Sequence, residues 1–304
     1  MRPRFIFSIF ALCLFALPTV GAAQPRPFHT ARLVSTGGAG VASLLVTEAA
    51  VLNPAALAFF GDTYLSYQNT RSELKSTASA RQADGNGFSN SNRNEGYFVY
   101  DNTSQVKGGF SYQRQSEDGF LRRRLTASFA QALTETFSLG LTYKYTEDTR
   151  PRDFARKHAV TNPLVLGGTW VVDPTLIVGL IWEDPTRATR GEARAIAGVQ
   201  YNITDRFMVI GDFGQDPTRS HEDTQLWRGA LQYSPFNDFY VRGGRFQDRA
   251  LNLEGEAWGL SWAGPRLGAD FAMRTSRQIK TEKGGLLYRR ERLQDLSFAV
   301  NLRF

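Results

Sequence analysis

The residues best able to do chemistry in this 304-residue sequence are few: His29, His158 and His221, with a single cysteine, Cys13. Cys13 lies inside the opening stretch MRPRFIFSIFALCLFALPTVGAAQP. There Arg2 and Arg4 make a basic start, residues 5–17 an apolar run, and Gly21-Ala22-Ala23 a small-residue cleavage site. That is the anatomy of a secretory signal peptide, cut after Ala23. The run is shorter than the ~20 residues a spanning helix needs, and a cysteine within it is not placed to carry a lipid anchor. The mature chain is therefore expected to lack cysteine, which removes disulfides, thiolate metal sites and cysteine nucleophiles together.

The histidines lead no further. None lies in a clearly patterned segment, and a hydrolytic site would need one of them held beside a serine or an acid. His221-Glu222-Asp223 falls in a polar stretch, where a solvated charge cluster is a plainer reading than a catalytic or metal site. GGAGVAS places Gly38 and Gly40 at the first two spacings of a dinucleotide fingerprint, but Ser43 stands at the third and no βαβ pattern follows. The formal net charge is +7, and Arg2 and Arg4 leave with the signal. The remaining arginines are scattered, without a basic motif, so no nucleic-acid partner is expected. Nothing here predicts an enzyme, a cofactor or a metal.

The elements that would position any site are strands. In TFSLGLTYKY, Phe137, Leu139, Leu141, Tyr143 and Tyr145 alternate with Ser138, Gly140, Thr142 and Lys144, and a period of two puts the sets on opposite faces. Leu164, Leu166, Gly168, Trp170 and Val172 alternate in the same way, as do Leu267, Ala269, Phe271 and Met273. Tight turns (Thr134-Glu135, Asp173-Pro174, Thr204-Asp205, residues 235–238, Gly264-Pro265) take turns with longer polar stretches at 71–93, 147–159, 184–191, 215–223 and 280–287. Short turns on one rim and long loops on the other are the asymmetry of an outer-membrane barrel. Phe137, Trp170, Tyr201, Phe207, Tyr233, Phe239 and Trp262 all lie near tight turns, as an interfacial aromatic girdle requires. The polar set, including Lys144, Gln200, Gln232, Asp270 and Arg274, would then line a water-filled lumen.

The fold class predicted is all-β, a transmembrane antiparallel barrel of about fourteen strands, with about twelve the other even count left open. Strands are expected to begin near residues 62, 94, 105, 121, 136, 161, 174, 190, 206, 222, 239, 251, 266 and 288. The chain ends DLSFAVNLRF, with Leu296, Phe298, Val300, Leu302 and Phe304 predicted to face lipid. Such an end needs no polar tail if it closes the barrel against the first strand, because closure abolishes both edges.

Residues 28–61, FHTARLVSTGGAGVASLLVTEAAVLNPAALAFFG, do not alternate. They read as a glycine-permitted turn followed by a short apolar helix over 41–52, interrupted at Pro54, with Asn53 biased out of helix by the proline after it. TGGAGVAS…EAAVLNPAALA directly after a signal, followed by a barrel, resembles the FadL-like outer-membrane transporters of long-chain fatty acids and other hydrophobic compounds. The resemblance implies an N-terminal hatch folded into the barrel, a hatch motif at Asn53, Pro54 and Ala55, fourteen strands, and a kinked third strand through which solute leaves sideways. Gly108 and Gly109 are candidates for that kink, or simply relieve crowding. Leu52, Leu57, Phe59 and Phe60 are candidates for a ligand pocket, or form the plug's own core. Phe304 resembles the C-terminal signal read by the outer-membrane assembly machinery.

The chain is thus expected to divide into a signal at 1–23, a hatch or plug with a small helical part at 24–61, and a barrel at 62–304, located in the bacterial outer membrane. Its expected partners are outer-membrane lipid, the assembly machinery and a hydrophobic small molecule. Passive uptake of small hydrophobic molecules is the function implied. The alternative is a plugged barrel serving as a structural or protein-secretion partner.

Overall fold

The computed structural model describes residues 26–44, 46–75, 92–101, 103–117, 120–150, 157–189, 192–279 and 292–304. The signal-peptide reading of residues 1–23 lies outside them. Alternating sequence becomes fifteen strand segments: β1 (Tyr64–Lys75), β2 (Asn92–Asp101), β3 (Lys107–Glu117), β4 (Phe120–Ala132), β5 (Phe137–Arg150), β6 (Lys157–Thr161), β7 (Leu164–Val171) and β8 (Leu176–Glu183). They continue as β9 (Arg194–Thr204), β10 (Phe207–Gln215), β11 (Leu226–Phe236), β12 (Phe239–Asp248), β13 (Leu253–Ala263), β14 (Leu267–Gln278) and β15 (Arg292–Arg303).

Segments β6 and β7 pair with the same neighbour, β5, in one register: Thr146 faces Thr161 and Tyr143 faces Leu164. They are one barrel strand interrupted at Asn162-Pro163, where proline cannot donate to the ladder. The wall therefore has fourteen strands, each antiparallel to its sequence neighbours. It closes where β1 pairs with β15, from Tyr64 opposite Arg303 to Lys75 opposite Arg292. The backbone N–H of Phe304 donates to the Thr63 carbonyl at 3.0 Å, so the last residue is hydrogen-bonded into the seam.

The alternation sorts as expected. Leu139, Leu141, Tyr143, Leu166, Trp170, Leu296 and Phe298 are exposed on the outer face, while Ser138, Thr142, Thr169 and Ser297 are buried within. Direct cross-strand pairing of Phe137 with Trp170, Phe207 with Tyr233 and Phe239 with Trp262 sets the aromatics at one height. The rim asymmetry is looser than the sequence suggests. On the long-loop rim, β3–β4 and β12–β13 are joined by residues 118–119 and 249–252, as short as the turns opposite.

Within the barrel lie α1 (Ala31–Ser35), α2 (Val46–Ala49) and a 3-10 turn (Pro54–Phe59), while α3 (His221–Thr224) belongs to an outer loop. Among the described residues no helix is long and apolar enough to cross a membrane. The lumen is not water-filled at mid-height. Lys144, Gln200, Gln232 and Arg274 are buried, because the segment before β1 packs against them.

Candidate functional site

From Arg26, beside the long-loop halves of β1 and β15, to Gly61, the segment is fastened stretch by stretch to different parts of the wall. Arg26 donates to Asp295 on β15 at 3.0 Å and to Ser72 on β1 at 3.1 Å. Gln68 of β1 donates to the His29 carbonyl at 2.9 Å and accepts from the Ala31 N–H at 3.1 Å. Thr30 caps α1 through its hydroxyl, which accepts from the Leu33 N–H. The helix ends at Gly37 and Gly38, whose φ of 66° and 90° disfavour a side chain. Arg228 of β11 donates to the Gly38 carbonyl at 2.9 Å, and Asp212 of β10 accepts from the Gly40 and Val41 N–H groups at 2.9 and 3.2 Å.

Residues 41–52 are not the continuous helix expected. Among the described residues of this stretch only Val46–Ala49 is helical, and Val41 packs against the wall at Gly179 instead. Pro54 does not interrupt a helix but begins the 3-10 turn, with Asn53 as its N-cap; a proline fits there because its missing N–H is one the turn would leave unpaired. Asn53 is buried and spends its whole amide. Its oxygen accepts from the Ala55 N–H at 3.1 Å, and its nitrogen donates to the Val41 carbonyl at 2.7 Å and to the Thr169 hydroxyl at 3.0 Å. Ser138 of β5 donates to the Ala55 carbonyl at 2.9 Å. Asn53-Pro54-Ala55 thus ties two stretches of the plug to each other and to the wall.

The wall residues that receive this backbone were not singled out as a site in the sequence. A Cβ at Gly140 would overlap Ala55, one at Gly167 the Asn53 amide, one at Gly179 the Val41 carbonyl, and one at Gly244 the backbone of Thr36. The signal was present as glycine on the inward set of an alternating strand, where a close backbone approach demands it. Polar lumen residues likewise work in pairs. Arg122 meets Asp148 at 2.7 Å, Arg194 meets Asp248 at 2.6 Å, and Arg274 meets Asp295 at 2.6 Å. Glu192, in an outer loop, would be raised by burial, but Arg124 and Arg122 hold it at about 2.

Two titratable groups sit in the plug itself. His29 is partly buried against Arg274, with its Nδ1 at 2.6 Å from that guanidinium. Burial, then Arg274 and Arg228, push its pKa well below the usual value. Burial raises Glu48, against the pull of Arg32 and Arg242; its carboxyl accepts from Thr30 at 3.3 Å. His221 lies exposed on α3, its Nδ1 2.6 Å from the Gln215 side-chain oxygen. Among the described residues no group of three or more His, Cys, Asp or Glu could hold a metal.

The four pocket candidates do not face one cavity. Leu52 packs with Leu33, Val41, Val165 and Ile196, whereas Leu57 packs with Phe28, Val46, Phe98 and Tyr100. Phe59 is partly buried. Phe60 alone of the four lines a vestibule of about 730 Å³ at the short-turn end, together with Arg32, Thr47, Gln232 and Arg242. Toward the long-loop side the gaps beside the plug hold only about 40 and 20 Å³. At Gly108 and Gly109 the third strand keeps its register with both neighbours, Gly109 facing Tyr100 on β2 and Ser128 on β4. A Cβ at Gly109 would strike the Tyr100 ring, while one at Gly108 would make only ordinary contact with the Ser128 carbonyl oxygen. Phe304 is exposed at the end of the seam.

No protein-family model matches the sequence, and no curated protein matches it significantly. Solved structures match it in shape. The CymD monoaromatic hydrocarbon channel superposes with a TM-score of 0.73 at 12% identity, covering 90% of this chain and 96% of that one. The chain has the fold of the FadL-type barrels. The same FadL-type fold is seen in the Ralstonia pickettii toluene transporter TbuX, with a TM-score of 0.69 at 13% identity over 91% of this chain and 99% of that one. A Pseudomonas aeruginosa FadL homologue gives 0.66 at 13% over 92% and 99%. The chain spans nearly the whole of each, and all three are named as channels, transporters or FadL proteins, not as enzymes.

Proposed function

We propose that this protein is an outer-membrane channel for the passive uptake of small hydrophobic molecules. The observation that carries the reading is a closed fourteen-strand barrel whose bore is filled by its own N-terminal segment, fastened through Asn53-Pro54-Ala55. The FadL-type fold, shared with proteins named for toluene and monoaromatic hydrocarbons, supports that class of solute. A wall of this width without a plug would pass polar solutes freely, since about eight strands already leave only enough interior for side chains. A plug makes sense where passage must be restricted.

In this reading residues 1–23 are the export signal, 24–61 the hatch and 62–304 the barrel, which sits in outer-membrane lipid. Phe304 is read by the assembly machinery; its deletion should lower the yield of folded, heat-modifiable barrel while export continues, and an unchanged yield would count against it. The uptake reading is tested in cells that lack a hydrocarbon barrel of their own. Expression should speed the entry of radiolabelled toluene supplied at low concentration. Entry no faster than in cells with an empty vector, with the barrel folded and inserted, would refute uptake of this class.

A further inference from the structure

We infer that the vestibule at the short-turn end is a binding site for a small monocarboxylate with an apolar body, held by Arg32 of the plug and Arg242 of the wall. The site is reached from the short-turn rim with the hatch in place, and it does not rest on the uptake reading.

The roof of the vestibule carries an unbalanced charge. Arg242 on β12 is buried, and its guanidinium donates to the side-chain oxygen of its cross-strand partner Gln232 at 2.7 Å. Arg32, in α1, donates to that same oxygen at 3.1 Å. Two cations therefore share one neutral acceptor, whose two lone pairs they exhaust. Elsewhere on the inner wall the balance is different, since Arg122, Arg194 and Arg274 each meet a carboxylate at 2.7 Å or less. The carboxylate beside Arg242 is Asp270, at 3.7 Å, and its oxygens accept from Ser261 and Asn301. Arg32 forms no ion pair among the described residues. Glu48 on α2 is close enough to feel both arginines, but it bonds Thr30 and Thr47 instead, and burial favours its neutral form.

Two guanidiniums against one ionised carboxylate leave a single positive charge, which a monoanion balances. A carboxylate matches the planar fork of a guanidinium better than any neutral group does, and Arg32 spends its fork on a single amide oxygen among the described residues. The space is adequate as well. At about 730 Å³ the vestibule lies within the range of ~300–1,000 Å³ that accommodates small organic ligands. Val46, Phe60, Tyr64 and Tyr240 give it an apolar side for a ring or short chain. At its mouth Arg206 and Arg266 outnumber Asp205, which draws anions inward. Because Arg32 belongs to the plug and Arg242 to the wall, a carboxylate that bonds both also ties the hatch to β12, and its binding stabilises the seated hatch.

Isothermal titration of the purified full-length barrel in a neutral detergent, with sodium benzoate as the probe, tests the site. Benzoate should bind, and Arg32→Gln and Arg242→Gln should each weaken it roughly ten- to hundredfold, the worth of a charge-assisted hydrogen bond. Arg245→Gln removes a charge from the outer face of the same strand and should leave binding unchanged. Arg32→Lys, which keeps the charge but not the fork, should bind with intermediate strength. Saturating benzoate should also slow protease cleavage within residues 26–61 of the parent and of Arg245→Gln, but not of Arg32→Gln. Heat-modifiable mobility establishes that each variant compared is folded. Benzoate binding that is absent from the folded parent, or equal in the parent and Arg32→Gln, would overturn the site. Toluene binding as tightly as benzoate, or inorganic phosphate binding in its place, would overturn the carboxylate class. Toluene entry into cells is a separate readout, so failure of the uptake reading and failure of this site are distinguishable.

Discussion

Asn53 shows how much of the plug depends on single polar side chains. Replacing it by alanine leaves the Val41 carbonyl and the Ala55 N–H without their partner in a buried place, at about 1–3 kcal/mol for each orphaned group. The wall ladder is untouched, so Asn53→Ala should loosen the hatch without unfolding the barrel. Protease should cut within residues 26–61 of folded, heat-modifiable protein, and resistance equal to the parent would argue that Asn53 does not seat the hatch. His29 gives the seat a pH dependence. Its folded pKa lies below the ordinary ~6.5, so the released hatch binds more protons than the seated one, and the stability His29 gives is full above that pH and declines as pH falls. Protection of the hatch from protease should therefore weaken toward pH 5 in the parent and less so in His29→Gln, which does not titrate. Glu48, raised by burial, acts in the opposite sense, and the His29→Gln comparison isolates the histidine. The Asn-Pro-Ala motif was readable in the sequence. Its partners Ser138 and Thr169 were visible only as members of an inward polar set, because their distance from the hatch is set by the barrel's closure.

At the scale of elements, strands and plug were legible to different degrees for a physical reason. A strand in a membrane wall writes its period along the whole segment, since every second residue meets lipid. Predicted starts near 136, 206, 239 and 266 thus meet observed ones at Phe137, Phe207, Phe239 and Leu267. The helices α1 and α2 are far shorter than the ~12–15 residues at which a helix stands alone, and caps, glycines and wall contacts decide where they begin and end. That is why a helix was expected across 41–52 and why α1 was not foreseen. The inward face also proved drier than its polarity implied, because a polar residue reads alike whether water or a plug lies beside it. Leu141 is exposed on the outer face near mid-strand, and if that face meets lipid as proposed, Leu141→Arg should cost about 2–4 kcal/mol. Its neighbour Thr142 is buried and shares a hydrogen bond of 2.8 Å with Ser128, so Thr142→Ser, which keeps the hydroxyl, should stay within about 1 kcal/mol. Denaturant unfolding of the reconstituted barrel checks both, and equal losses would mean that the faces are misassigned.

For the whole molecule, closure and plugging are linked. Joining β1 to β15 removes the sheet edges, but a ring of this circumference encloses more space than side chains can fill. The chain fills it with its own N-terminal segment, which meets glycines where backbone touches backbone and paired charges elsewhere. Single-channel recording in planar bilayers, comparing the full protein with one lacking residues 28–61, is the most direct test of that arrangement. The intact protein should stay nearly closed despite its polar inner wall, and the deletion should conduct in large, steady steps. An intact protein that conducts like an open porin, or a deletion that leaves the conductance unchanged in a folded barrel, would contradict a hatch that closes the lumen.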